Sequence, residues 1–215
     1  MFLRARKSEL GHTLIEMMIA TALLSVVVAS AFGAVIVMQN QAVKTTDRFT
    51  AESEAQTMAD RLTRDLRTAV APTSTTAAFA SGDARDVVFY ASLADLNTGN
   101  GPTRIHVYTS LVPSTTVYVL HEDATQPTGT LGNYTYTNPP VTRLDGEYID
   151  TSQPIFTYWR ADGTQILPLP LTSSIDLRSI DAVGVTLRVR VRPTAPTVVI
   201  STRIHIRNVD YNPGT

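Results

Sequence analysis

The 215-residue sequence contains no cysteine. The fold therefore gains no stability from disulfides, and no thiolate is present to bind a metal ion. Lysine occurs only at Lys7 and Lys44, and the formal net charge is −1. A chain with so little net charge has no global electrostatic bias toward nucleic acid.

Recognisable catalytic motifs are also missing. The sequence has no Ser-His-Asp order, no paired carboxylates in a known frame, no glycine-rich phosphate loop and no zinc-ligand spacing. His121, Glu122 and Asp123 are adjacent residues of metal-binding type, but neighbouring strand residues point in different directions. We therefore interpret them as a solvated turn. The sequence predicts a protein that is not an enzyme, with no cofactor and no metal site.

A long apolar run near the N-terminus is the main feature that is present. Residues 17–38 contain no charged side chain. At 1.5 Å per residue such a helix reaches about 30 Å, which is enough to cross the hydrocarbon core of a bilayer. Arg4, Arg6 and Lys7 precede the run, so the positive-inside rule places them in the cytoplasm. We predict a single-pass cytoplasmic (inner) membrane segment at about residues 14–38, with the C-terminal part outside.

A helical pattern continues beyond the apolar run. Apolar residues recur at steps of three and four, and charged residues fall mostly between them. The apolar positions are Ala55, Met58, Ala59, Leu62, Leu66, Ala69 and Val70. No proline occurs in this region before Pro72. The pattern predicts one nearly continuous helix from about Thr13 to about Ala71, roughly 85–90 Å long.

Gly33 interrupts the apolar part of this predicted helix. Glycine costs a helix about 1 kcal/mol relative to alanine, so Gly33 can mark a weak point. The alternative is close packing of a neighbouring helix against the glycine. The sequence leaves both interpretations open.

After Pro72 the apolar period changes from helical to alternating, which predicts a β-rich head. The predicted strands are Asp86–Ser92, Arg104–Thr109, Thr116–His121, Ile155–Arg160, Val183–Arg192 and Val198–Arg207. Residues 93–103 and 124–154 are rich in Gly, Pro, Asn and Thr and are predicted to be long loops. Asp162-Gly163 predicts a turn directly after the fourth strand.

The last two predicted strands alternate cleanly between apolar and polar residues. The apolar side is predicted to pack on the helix, and the other side carries a basic surface at Arg188, Arg190, Arg203 and Arg207. This surface has two interpretations: a DNA phosphate contact, or a solvated sheet face whose charges discourage edge-to-edge aggregation. No aromatic residues for base stacking are interleaved with the arginines, which favours the solvated face.

One carboxylate lies inside the apolar N-terminal segment. Residues 7–17 read KSELGHTLIEM, so Glu16 follows Gly11 by five positions. A charge inside a membrane segment costs about 2.5–3.5 kcal/mol or more, so it is rarely found without a partner. This segment resembles the N-terminus of prepilins, the precursors of type IV pilins and type II secretion pseudopilins.

The prepilin resemblance implies a processing and assembly pathway. Prepilin peptidase would cut after Gly11, and the new N-terminal amine of His12 would be methylated. Glu16, the fifth residue of the mature chain, would pair with the amine of a neighbouring subunit. Thr13 belongs to the same Thr13-Leu14-Ile15-Glu16 motif and would share in subunit assembly. The implied partners are the peptidase, other major and minor pilins, and the lipid bilayer.

The C-terminal third resembles the J-type minor pseudopilins and the PilW-like minor pilins. The matching stretches are residues 155–163, residues 180–183 and Arg207-Asn208. Together the resemblances imply an α+β, pilin-like lollipop with one long N-terminal helix, transmembrane in its first half, packed on an antiparallel sheet. The implied divisions are a leader at 1–11, a stem helix at 12–71 and a head at 72–215. The implied function is a minor subunit that joins or primes a type IV pilus or a secretion pseudopilus, at the cell surface or in the periplasm.

A different class of protein is also consistent with the N-terminus. Ala29-Ser30-Ala31 fits a signal-peptidase site after a basic and an apolar region. Cleavage after Ala31 would release a soluble, secreted, β-rich binding or enzymatic domain beginning at Phe32. The first residue of the mature chain distinguishes the two hypotheses.

Overall fold

The computed structural model describes residues 14–93, 101–112, 118–130, 132–192 and 195–206. The chain divides into two compact units, residues 1–46 and 47–215. The helices are α1 (Leu14–Arg67) and α2 (Ser174–Arg178). The strands are β1 (Phe79–Gly82), β2 (Asp86–Ala91), β3 (Thr103–Leu111), β4 (Tyr118–Thr125), β5 (Thr128–Thr130), β6 (Asn133–Thr135), β7 (Val141–Ile149), β8 (Phe156–Trp159), β9 (Ala182–Val189) and β10 (Val198–His205).

In the first unit, the described residues 14–46 are all helical and all exposed. α1 contains an 18-residue stretch with a mean hydropathy of 2.4, long and apolar enough to cross a membrane. The few hydroxyl groups of this segment donate hydrogen bonds to backbone carbonyls of the same helix. Thr21 Oγ1 donates to the Met17 carbonyl at 2.9 Å, and Ser30 Oγ donates to the Val26 carbonyl at 2.8 Å. These bonds lower the cost of placing hydroxyls in an apolar environment.

In the second unit, residues 47–67 of α1 pack against the sheet. The predicted apolar stripe is confirmed from Ala55 to Leu66, because these residues are buried together with the apolar inner face of the sheet. Its last two members lie beyond the helix, where Ala69 is buried and Val70 is half-buried. The buried helical residues include Ala51, Ala55, Met58, Leu62 and Leu66. Their spacing places them on one side of a 3.6-residue helix, so a single helical face supplies one wall of the core.

The helix ends at Arg67, short of its predicted end. The next residues leave the helix to pair with the end of β2: the Val70 N–H donates to the Tyr90 carbonyl at 2.8 Å. The Ser92 N–H donates to the Thr68 carbonyl at 3.0 Å. Backbone groups beyond a helix end need new partners, and here the sheet provides them. Sheet pairing therefore overrides the local helical pattern.

The main sheet is antiparallel throughout. Its strand order is β1-β2-β3-β4-β7-β9-β10, and β8 pairs with β9 off this path. The predicted α+β class is confirmed: one long N-terminal helix combines with a large antiparallel sheet. All six predicted strands correspond to observed strands. Two segments lie outside the described residues: 94–100, in the first predicted loop, and 113–117, which include the first two residues of the third predicted strand.

The prediction of a loop over residues 124–154 is wrong. This segment contains β5, β6 and β7. β5 and β6 are three-residue strands of Thr, Gly, Asn and Tyr, too short to show alternation. β7 carries Arg143 and Gly146 in the middle of the strand, which breaks the apolar alternation that identifies strands. β1 and the short helix α2 were not predicted either.

The predicted turn at Asp162-Gly163 is confirmed. Gly163 has a φ of 82°, a conformation that glycine adopts at little cost. The Asp162 side chain accepts a hydrogen bond from the Thr164 backbone N–H at 2.8 Å. This is the local side-chain bonding that makes Asp a frequent turn residue.

Gly146 allows a close approach between β7 and Met58 of the helix. A Cβ at this position would clash with the buried side chain of Met58, since it would stand 2.7 Å from Met58 Cγ and 2.8 Å from Met58 Cε. We expect Gly146→Ala to lower the free energy of unfolding by about 1–3 kcal/mol, because overpacking forces the helix or the strand to shift. Equilibrium denaturation would measure the loss. The control is Gly33→Ala, at a helical glycine that meets no neighbouring atom within 4 Å, which should not lower the stability. An unchanged free energy of unfolding would show that the Met58 side chain can move aside without cost.

Candidate functional site

Glu16 lies in the first turn of α1. A carboxylate is favoured there because the helix dipole places partial positive charge at the N-terminal end. Its neighbours are exposed apolar side chains: Leu14 is 80% exposed, Ile15 65% and Met17 54%. The helix therefore presents one acidic group on an otherwise apolar surface, as the sequence predicted.

Three of the predicted assembly residues, Gly11, His12 and Thr13, lie outside the described residues. Leader cleavage, methylation and the role of Thr13 therefore stay predictions. Gly33 lies within α1, and no heavy atom stands within 4 Å of the position that its Cβ would occupy. Both interpretations of Gly33, a weak point and a packing site for a neighbouring helix, also stay predictions.

The predicted basic surface on the outer face of β9 and β10 contains arginines in different situations. Arg190 is paired with Asp150, with 2.6 Å between Arg190 Nη2 and Asp150 Oδ2. Hydrogen bonds from Ser152 and then from Arg190 lower the pKa of Asp150 to about 2. Arg188 is half-buried, and Arg207 lies outside the described residues.

The expectation that no aromatic side chain is interleaved with these arginines is wrong at one position. The Arg203 guanidinium lies 4.0 Å from the ring centroid of Trp159 on β8. Gly184 of β9 makes room for Thr157 and for the ring, because a Cβ there would clash with Thr157 Oγ1 and stand 3.3 Å from the indole nitrogen. Arg190 and Arg203 thus already contact groups of the head, which supports a structural face more than a phosphate-binding one.

The interpretation of residues 121–123 as a solvated turn is wrong, because they lie inside β4. The Glu122 side chain is fully buried and points at the helix. It forms an ion pair with Arg143 of β7, and its Oε2 lies 3.6 Å from Arg61 Nε of α1. Across the described ranges, no group of three or more His, Cys, Asp or Glu side chains is arranged to hold a metal ion.

Asp65 of α1 completes a buried ionic cluster, defined here as Arg61, Asp65, Glu122 and Arg143. The Asp65 side chain is 2% exposed, and its Oδ2 lies 4.0 Å from Arg143 Nη2. This cluster was not predicted from the sequence. The available signal was that Asp65 directly precedes Leu66, on the buried side of the helix.

The N-terminal segment resembles a sequence motif of known proteins. Residues 6–32 match a family model described as the prokaryotic N-terminal methylation motif. This motif, which covers 27 of the 215 residues, is similar to the N-terminus of precursors of the pilin or pseudopilin type. Such a motif implies processing by prepilin peptidase, membrane anchoring and assembly with other pilins. Proteins of the family that carries this motif are generally structural.

Comparisons with curated proteins and with solved structures found no match. The motif spans a small part of the sequence and does not reach the head.

Proposed function

We propose that the chain is a minor pilin or pseudopilin subunit, anchored in the cytoplasmic membrane and then assembled into a helical filament. The observation that carries the proposal is the methylation motif at residues 6–32, followed directly by an exposed apolar helix with Glu16 in its first turn. The function is mechanical: the helix packs against neighbouring helices, and the head is displayed outside the membrane.

The chemistry of assembly follows from the burial of charge. Cleavage after Gly11 would create a positively charged amine at His12, four residues before Glu16 in the sequence. An amine and a carboxylate from neighbouring subunits neutralise each other in an apolar filament core, where either charge alone is costly. Pairing would occur only at the correct axial position, so Glu16 would set the register between subunits.

Features of the head support the role of a minor subunit at or near the tip of the filament. The stretches at 155–163 and 180–183, which resemble J-type pseudopilins and PilW-like pilins, form β8 with its turn and the start of β9. A J-type subunit would prime the filament and expose its loops at the tip. Both a type IV pilus and a type II secretion pseudopilus are consistent with this role.

The test is the mass and the N-terminal peptide of the protein recovered from its native membrane. We expect a mature chain that starts at His12, with one added methyl group, and an unprocessed chain for Gly11→Val. The matched control is Gly33→Val, which changes a glycine outside the cleavage site and should leave the start at His12. A start at Phe32 would refute the proposal and indicate a secreted domain.

A further inference from the structure

Two buried carboxyl groups of the head lie beside the same arginine, Arg143. Asp65 comes from α1 and Glu122 from β4, and both side chains are buried. Asp65 Oδ2 and Glu122 Oε2 each lie fully buried without a hydrogen-bond donor from the described part of the chain. Two adjacent carboxylates cannot easily both be ionised, because like charges at short range repel in a low dielectric.

The surrounding arginines offset this repulsion only in part. Arg143 of β7 forms its ion pair with Glu122 and lies 4.0 Å from Asp65. Arg61 lies 3.6 Å from Glu122. Arg64 lies 3.5 Å from Asp65, but its side chain is 67% exposed, so water screens its charge. These residues are the charged groups that α1, β4 and β7 direct at the two carboxyls within the described ranges.

We infer that Asp65 and Glu122 share one proton, and that this proton tightens the contact between the helix and the sheet in mildly acidic surroundings. A proton between Asp65 Oδ2 and Glu122 Oε2 supplies the donor that both buried oxygens lack. It also removes one of two adjacent negative charges. The buried ionic cluster is therefore a pH-sensitive clamp, a property beyond the proposed function in assembly.

The ionisation of Asp65 agrees with this geometry. Burial raises its pKa to about 6, with further contributions from the charge of Glu122 and from the hydrogen bond that a protonated Asp65 makes to Glu122; Arg143 and Arg64 oppose the shift. The folded-state pKa thus lies above the ordinary value of 3.8. The stability from this proton is fully present below about pH 4 and is lost as the pH rises through about 6. The pKa of Asp150 is lowered to about 2, so the stability that Asp150 contributes is lost as the pH falls below about 4. This effect is opposite in sign to that of Asp65 and occurs at lower pH.

The experiment is chemical denaturation of the full-length chain in detergent micelles at several pH values. For the wild type, we expect a higher denaturation midpoint at about pH 5 than at about pH 7.5. Asp65→Asn mimics the protonated carboxyl, so its midpoint should change little across this range and should match or exceed the wild type at the higher pH. The control Asp60→Asn, at an exposed position on the same helix, should keep the wild-type slope.

A direct titration keeps the inference testable if the Asp65 variant fails to fold. Carbon-13 NMR of the Asp65 carboxyl in the wild-type chain should give an apparent pKa near 6. In Glu122→Gln the carboxyl should titrate at lower pH, because the adjacent negative charge is gone. A wild-type value near 3.8, or an Asp65→Asn variant that keeps the wild-type pH slope, would overturn the shared proton.

Discussion

Alanine in place of Glu16 is expected to leave the chain processed and membrane-bound, but to lower its incorporation into filaments about a hundredfold. Under the proposed mechanism, the amine of a neighbouring subunit would then enter the apolar filament core without its counter-charge. An unpaired charge in such an environment costs about 2.5–3.5 kcal/mol, and about 1.4 kcal/mol corresponds to a factor of ten. The loss follows from the pairing and not from the fold of the head.

The measurement compares the variant protein in sheared filaments with the variant protein in the membrane fraction. Glu52→Ala is the matched control, since Glu52 is an exposed acidic residue on α1 beyond the apolar run. We expect the control to assemble normally. Normal incorporation of the Glu16 variant would refute amine pairing, and a reduced membrane signal would show that the substitution affects insertion instead.

Arg143→Ala is expected to lower the free energy of unfolding by about 3–5 kcal/mol at neutral pH, the largest stability effect anticipated for a single residue of the head. Arg143 pairs with Glu122 and lies near Asp65, and both carboxyls are buried. Removing the arginine leaves uncompensated negative charge in the interior. Acidification should restore part of the stability, because the carboxyls can then be neutralised by protons.

Equilibrium denaturation followed by circular dichroism would measure this loss. The control is Arg188→Ala, on the outer face of β9, which should change the stability by no more than about 0.5 kcal/mol. Similar losses in the two variants would contradict a special role for the ion pair. A loss that does not decrease with falling pH would assign the effect to packing of the arginine stem.

The sequence allowed prediction of the features that depend on local periodicity. Helix α1 and its stripe at Met58 and Leu62 follow from a 3.6-residue apolar repeat, and β10 follows from strict alternation. The candidate assembly residue Glu16 was recognisable because a carboxylate within an apolar run is itself unusual. Each of these signals is contained in a short continuous segment.

The features that were missed depend on partners far apart in the sequence. Glu122 is stable in the interior because β7 and α1 place Arg143 and Arg61 beside it, and no local pattern encodes that arrangement. β7 itself carries a charged residue and a glycine in positions set by those contacts. Similarly, Trp159 meets Arg203 only because β9 lies between their strands.

The stack of Arg203 on Trp159 places the tryptophan fluorophore of the chain in a defined environment. Trp159 is the only tryptophan in the sequence, so all indole emission arises from one site. The ring lies on β8, beside Gly184 of β9 and beneath a guanidinium from β10. Because indole emission depends on nearby charge and on exposure to water, the native protein carries an intrinsic fluorophore that reports whether its last three strands are assembled.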